Sequence, residues 1–238
     1  MHNGKKVSVV FPAYNEKEGI AHAVESFGGL EVVDEVVVVD NNSRDDTAEL
    51  ARAAGARVVT EARQGYGFAL RRGLAEAEGD LIVMAEPDGT FIAADVHKLL
   101  AYSDDAEMVL GTRTTRELIF SGANMGRWNR WGNWALAKLQ QLLFNTSSLS
   151  DCGCTMRLIH RHALDRFLDR LTVGKSHFLP EMVILAETTG TTILEVPVTY
   201  RERRGSSKIT GDPRGILEVG LRMFQLIVTY RVTGHAPR

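Results

Sequence analysis

Short β-branched runs alternate with helical stretches through the first half of the chain. Val7–Phe11 reads VSVVF and Glu35–Val39 reads EVVVV, apolar runs of the length and composition of strands covered on both faces. Arg57–Val59, Asp80–Met84 and Met108–Leu110 repeat the signal. Between them, Glu16–Phe27, Asp45–Ala54, Tyr66–Ala77 and Ala94–Tyr102 read as helices, and Ser43 stands where it can cap the second. The alternation predicts right-handed βαβ units and a parallel sheet with helices on both faces, an α/β fold.

The rhythm changes after Gly111. Asn124–Phe144 carries Trp128, Trp131 and Trp134 at every third position, with leucines at helical spacing. Cys154–His160 predicts a strand and His162–Leu168 a helix. Ile193–Val196, a proline and Val198–Tyr200 predict an edge strand, where a missing N–H is tolerated. Arg201–Ile209 is a charged loop with Gly and Ser, and Pro213–Val232 predicts a closing helix with Pro213 in its first turn. No repeat, low-complexity tract or flexible linker interrupts the 238 residues, so one domain is expected over 1–238, with halves at 1–112 and 113–238.

Composition removes several classes. Lys and Arg number 28 against 30 Asp and Glu, a net charge of -2, which leaves no cationic surplus for a strongly basic nucleic-acid binder. With 44% hydrophobic and 24% charged residues the chain is a folded globule rather than a disordered one. Cys152 and Cys154 flank a single glycine; they staple nothing, lack the second pair a zinc site needs, and read as reduced thiols of a cytosolic compartment. Met1–Lys6 is polar, Val7–Phe11 is too short for the core of a secretory signal, and Ile216–Val232 is broken by Glu218, Arg222 and Arg231. A soluble or membrane-peripheral protein is therefore expected.

In a doubly wound sheet, ligands bind beyond the carboxyl ends of the strands. The residues just after the strands are Pro12-Ala13-Tyr14-Asn15-Glu16, Asp40-Asn41-Asn42-Ser43, Glu86-Pro87-Asp88-Gly89-Thr90 and Gly111-Thr112-Arg113. Two acidic clusters and an arginine thus converge on one edge. Carboxylates suit a hard divalent cation and the other polar groups suit base and ribose, so a nucleotide diphosphate with a metal fits. Singly, Asp40 and Ser43 also read as helix caps and Pro87-Asp88-Gly89 as a turn. No glycine fingerprint follows the first strand and no G-x-x-x-x-G-K-[ST] occurs, which excludes Rossmann and P-loop sites.

These residues carry a resemblance. The chain resembles the family-2 glycosyltransferases of the nucleotide-diphospho-sugar transferase (GT-A) fold, and among them the polyprenyl-phosphate sugar synthases of the dolichyl-phosphate mannose synthase type. The matching strings run in order: FPAYNE at Phe11–Glu16, VVDNNSRDDT at Val38–Thr47, RQGYGFALRRG at Arg63–Gly73 and AEGDLIVMAEPDGTF at Ala77–Phe91. They continue with GTR at Gly111–Arg113, DCGCTMRL at Asp151–Leu158, FLPEM at Phe178–Met182 and EVPVTYRERRGSSK at Glu195–Lys208.

The resemblance implies a nucleotide-sugar-binding half over 1–112 and an acceptor-binding half with the C-terminal helix over 113–238. Pro12, Tyr14 and Glu16 would line the base and ribose pocket, Asp40 would face the base, and Gln64 and Gly65 would close over the nucleoside. Glu86 and Asp88 hold the places of the family's Asp-x-Asp, implying Mg2+ or Mn2+; the sequence departs from the pattern in the longer Glu86, and Thr90 stands where the family often has an amide. Arg203, Arg204 and Lys208 would clamp the donor diphosphate, a solvated charged loop being the bland alternative. Arg113, Arg127 and Arg130 would meet the acceptor phosphate. The tryptophans among them read either as core or as an amphipathic segment at a membrane surface. Asp151 or Glu181 would be the base if one is needed, Asp151 otherwise positioning Arg157 or a sugar hydroxyl.

The activity so implied is inverting transfer of a hexose from GDP- or UDP-hexose to a dolichyl or undecaprenyl phosphate at the cytosolic membrane face. Its alternatives are transfer to a carbohydrate hydroxyl and a catalytically silent sugar-nucleotide-binding subunit.

Overall fold

The computed structural model describes residues 1–120, 123, 127–146, 148–203 and 213–237, without the side chains of 127–129, 213, 214 and 216. Seven strands share one sheet: β1 (Val7–Ala13), β2 (Glu35–Asp40), β3 (Arg57–Thr60), β4 (Leu81–Met84), β5 (Met108–Thr112), β6 (Arg157–His160) and β7 (Ile193–Pro197). Their order is β3-β2-β1-β4-β6-β5-β7, which puts β7 on an edge as its proline requires. The pairings are parallel except those of β6, which runs antiparallel to both β4 and β5. β4 and β5, both antiparallel to β6, run the same way as β1 to β3, so the parallel sheet expected of the first half holds within a mostly parallel seven-stranded sheet reversed at β6. Leu158 and Ile159 of β6 bury on opposite faces as a parallel strand's residues do, so the local pattern carries no sign of direction.

The valine run of β2 divides between two cores. Val37 and Val39 join Val10, Ile82, Met84 and Ile159 on one face, under α3 (Tyr66–Glu76), α7 (Phe178–Thr188) and α8 (Pro213–Thr233). Val36 and Val38 join Val9, Phe11, Val83 and Leu158 on the other, under α1 (Ile20–Gly28), α2 (Thr47–Ala53) and α4 (Val96–Leu100). The period of two in a strand produces this division.

The remaining helices are α5 (Arg127–Phe144), packed on α7 and α8, and the short α6 (Arg161–Leu164). α7 carries no amphipathic signal because residues 178–186 are all buried; an apolar helix covered all round has no periodicity to read.

β1 runs two residues past the expected Phe11, through Pro12 in the middle of the sheet. Val10 O accepts from Ala85 N and Ala13 O from Asn41 N, so Pro12 turns its backbone to the β4 side. Pairing with β4 ends at Val10–Met84, and the missing N–H breaks no ladder bond. α1 begins at Ile20 rather than Glu16, after a turn in which Glu16 O accepts from Gly19 N and Ile20 N. A Cβ on Gly19 would stand 2.5 Å from Pro87 O, so only glycine lets α1 approach the loop after β4.

Candidate functional site

The loops after β1 and β2 are stitched together by side chains. Ser43 Oγ accepts from Asn15 N at 3.0 Å, Thr47 Oγ1 accepts from Glu16 N at 2.8 Å, and Asn15 Oδ1 accepts from Arg44 N at 2.7 Å. Ser43 is thus a cross-link between loops and not the helix cap its position suggested. Asp40 Oδ1 receives Ser43 N at 3.2 Å.

Asn41, just past β2 and buried, organises the next turn. Its Nδ2 donates to Glu61 O and Arg63 O, both at 2.8 Å, and its Oδ1 accepts from Gly65 N at 2.7 Å and Gln64 Nε2 at 3.3 Å. Gly65 has φ +154°, and a Cβ there would stand 2.2 Å from Gly174 O. Gln64 and Gly65 are therefore held against the end of β2 by Asn41. Asn41, the residue that holds them, was missed, although its place directly after a strand marked it.

After β4, Asp88 is 2% exposed. Its Oδ1 accepts from Thr90 N at 3.0 Å and Thr90 Oγ1 at 2.6 Å, so Thr90 fixes the carboxylate. Glu86 Oε1 accepts from Tyr66 OH at 3.0 Å and Thr155 Oγ1 at 2.8 Å. Burial first, and then the charge of Asp88, push the Glu86 carboxyl up to about 7. Tyr66 and Thr155 were not singled out in the sequence, since a tyrosine at a helix start carries no distinctive spacing.

Arg203, from the segment after β7, reaches both acidic clusters. Its Nη1 lies 3.2 Å from Asp88 Oδ2 and its Nη2 lies 2.6 Å from Glu16 Oε1. Arg203 thus bridges carboxylates of two different strand-end loops. Arg204 and Lys208 lie outside the described residues.

Arg113 and Asp151 form a bidentate pair, Nε to Oδ2 at 2.8 Å and Nη2 to Oδ1 at 2.9 Å. Asp151 also accepts from Arg113 N and Gly153 N, both at 3.1 Å. Burial opposes its charge, but Arg113 and these N–H groups outweigh burial and hold the carboxyl below the usual range. Asp151 thus positions Arg113; Arg157 instead donates to Cys154 O and Leu179 O. Arg113 in turn lies over the Tyr200 ring, 5.2 Å from its centroid.

Glu181 is fully buried at the start of α7. It accepts from Thr172 N at 3.1 Å, Thr172 Oγ1 at 2.8 Å, Val173 N at 2.9 Å and Tyr230 OH at 2.9 Å. These bonds tie α7 to α8. Cys152 and Cys154 are unpaired and buried, and burial pushes both thiols up to about 12, leaving them inert.

On α5, Trp131 and Trp134 are 64% and 42% exposed, with rings in an edge contact at 5.6 Å. They are not core. Arg130 is half-buried, while the Arg127 and Trp128 side chains lie outside the described residues.

Can these residues hold a metal? Among the described residues no group of three or more His, Cys, Asp and Glu forms a cage. Asp88 and Glu86 nevertheless fit a divalent cation. Asp88 Oδ2 already takes a cation, the Arg203 guanidinium, and two carboxylates with phosphate oxygens and water are a usual Mg2+ set.

The glycosyl transferase family 2 model matches residues 8–168, the stretch that holds the loops after β1, β2, β4 and β5. The chain belongs to glycosyl transferase family 2. It is 32% identical over 215 residues to the low-salt glycan biosynthesis hexosyltransferase Agl6 of Haloferax volcanii, a match covering 88% of this chain and 51% of that one. It is 31% identical over 208 residues to the dolichyl-phosphate hexose transferase of the same organism, covering 87% of each. Among solved structures, glucosyl-3-phosphoglycerate synthase from Mycobacterium tuberculosis, in complex with Mn2+, UDP and phosphoglyceric acid, superposes with a TM-score of 0.71 at 22% identity. That match covers 99% of this chain and 80% of the synthase, and it gives the family-2 chain a GT-A fold. The chain is a glycosyltransferase, with hexosyltransferases among its relatives. Among the described residues, no helix is long and apolar enough to cross a membrane.

Proposed function

We propose that this glycosyltransferase moves a hexose from a nucleotide diphosphate sugar to a polyprenyl phosphate, with inversion, at a membrane surface. The observation that carries the reading is the state of the two candidate bases. Asp151 is locked to Arg113 and held ionised, and Glu181 is sealed by Thr172, Val173 and Tyr230. Neither is placed to take a proton, so the acceptor should arrive already charged, as a phosphate does. The named activity of the Haloferax volcanii dolichyl-phosphate hexose transferase supports the same acceptor. Transfer to a carbohydrate hydroxyl would need a free base.

The donor's base and ribose are assigned to Pro12, Tyr14, Glu16 and Asp40, under Gln64 and Gly65. Its diphosphate is assigned to Arg203, Arg204 and Lys208 with Glu86 and Asp88 holding Mg2+ or Mn2+, the kind of ion named with the structural relative. A bound divalent cation would neutralise charge developing on the leaving diphosphate. A phosphate oxygen of the acceptor bonds to the anomeric carbon as the carbon–oxygen bond to the diphosphate breaks, the nucleoside diphosphate leaving with the electron pair. No proton changes hands. The residues contribute position and charge: Arg113, oriented by Asp151, faces the phosphates, and Tyr66 and Thr155 fix Glu86.

The face of α5 that exposes Trp131 and Trp134 is assigned to the lipid surface, where tryptophan is favoured, and Arg127 and Arg130 of the same helix are assigned to the acceptor phosphate. A thermal-shift panel of GDP- and UDP-sugars with and without Mg2+ or Mn2+ tests the donor reading. A metal-dependent rise with one nucleotide sugar is expected; no shift with any of them contradicts it.

A further inference from the structure

A cavity of about 350 Å3 opens between the start of α3, the segment before α7, and α8. It is lined by Tyr66, Lys175, Ser176 and one face of α8: Gly215, Glu218, Val219 and Arg222. These four α8 positions follow the i, i+3, i+4, i+7 spacing of a single helix face. We infer that this cavity seats a phosphate monoester, the head group of the acceptor. The inference rests on the acceptor proposed above and names the residues that hold it.

Three features carry it. First, among the described residues the charged groups lining it are two cations, Lys175 and Arg222, and one carboxylate, Glu218. Glu218 pairs with Arg222 one helical turn away, and being exposed it gives way to a stronger anion at little cost. Second, Lys175 and Ser176 stand in the turn that enters α7; Phe178 N donates to Lys175 O and Pro180 carries no N–H, so the Lys175 ammonium and the Ser176 hydroxyl, not the helix end, are the donors that an anion meets there. Third, Tyr66 is shared: it lines the cavity and its hydroxyl donates to Glu86 at 3.0 Å. Tyr66 thus stands between a phosphate seated there and Glu86, one of the carboxylates assigned to the donor's metal.

His177 follows Ser176 at the entry to α7. Its Nδ1 is buried without a partner among the described residues. Burial first, and then Arg222 and Lys175, lower its pKa to about 4. It stays neutral at physiological pH, so it adds no third cation to Lys175 and Arg222.

The test is calorimetric binding of farnesyl phosphate, glycerol 3-phosphate and, with Mg2+, UDP and GDP to the full chain. Lys175→Met and Arg222→Gln should each weaken both phosphate monoesters about tenfold, as lost charge-assisted hydrogen bonds do. Lys175→Arg should restore binding, which separates a lost charge from a damaged fold. Glu218→Gln should tighten the monoesters, because a competing anion is gone. Nucleotide affinity should stay unchanged in all four.

Monoester binding unchanged in the Lys175→Met/Arg222→Gln double variant would overturn the inference and leave the head group to Arg127 and Arg130. A loss confined to UDP or GDP would overturn it by giving the cavity to the donor. Glycerol 3-phosphate binding that depends on Lys175 and Arg222, in a protein that transfers no sugar to polyprenyl phosphate, would support the phosphate seat while defeating the lipid acceptor.

Discussion

Arg203 and Asp88 form an ion pair, Nη1 to Oδ2 at 3.2 Å, at the carboxylate assigned to the metal. The other guanidinium nitrogen holds Glu16 at 2.6 Å, so one side chain from beyond β7 neutralises two strand-end loops. A metal and Arg203 compete for the same oxygen. Arg203→Gln is expected to raise the affinity for Mn2+ alone, read by electron paramagnetic resonance, by about tenfold. The same change is expected to weaken UDP or GDP in the presence of Mn2+, since the arginine released from Asp88 is assigned to the diphosphate. Unchanged Mn2+ affinity would mean the pair does not guard the site.

The Arg113–Asp151 pair is buried, and removing one partner strands the other's charge. Asp151→Ala should cost about 3–5 kcal/mol of stability, measured by denaturant unfolding. Asp151→Asn should lower transfer through a misplaced Arg113, raising KM for the phosphate acceptor more than it lowers kcat. Rescue of Asp151→Ala turnover by added formate or azide would instead make Asp151 the base and the acceptor a hydroxyl.

Asn41 makes four hydrogen bonds from a buried position between β2 and the Gln64–Gly65 turn. Asn41→Leu keeps the bulk and leaves the N–H of Gly65 and two carbonyls unsatisfied. A stability loss of about 1–3 kcal/mol is expected, with weakened nucleotide binding, by thermal melts with and without UDP or GDP. Nucleotide affinity equal to wild type would show that the turn does not depend on Asn41.

How far the sequence carried the reading is clear from particular elements. The buried strands β1, β2, β4 and β5 were legible because Val and Ile runs bounded by turn residues have few other solutions. The strand-end set, Glu86 and Asp88 included, followed from the strands, and the family resemblance added the roles. The direction of β6 was not legible, because Leu158 and Ile159 bury equally well either way. α7 was missed since burial on all sides erases its period. Tyr66, Thr155 and Asn41 escaped because their role lies in partners 20 or more residues away. Ion pairs between distant segments, such as Arg203 with Glu16, carry no sequence pattern at all.

Glu107 gives the fold a pH dependence away from the site. It pairs with Arg166 at 2.8 Å and His162 at 3.0 Å and accepts from Thr192 N at 3.0 Å. Burial raises its carboxyl, but Arg166, Thr192 N and His162 outweigh this and lower it from 4.5 to about 2. The folded state therefore binds the proton less well than the unfolded one. The stabilisation is full above about pH 4.5 and is lost as pH falls through about 2. Partial exposure screens the effect, so Glu107→Gln should cost about 1 kcal/mol at pH 7 and almost nothing near pH 2, by urea unfolding. An equal cost at both pH values would show that the ionised carboxylate is not what stabilises.

The acceptor is the centre of the account, and sugar transfer measures it directly. The protein is incubated with radiolabelled GDP- or UDP-hexose and Mg2+ or Mn2+, and with undecaprenyl or dolichyl phosphate, the matching polyprenol, or an oligosaccharide. The account predicts label in the lipid phosphate alone, lost with chelator and in Asp88→Asn compared with wild type at a temperature where both are folded. Label in the polyprenol or the oligosaccharide but not in the lipid phosphate, or full transfer by Asp88→Asn in chelator, would contradict it.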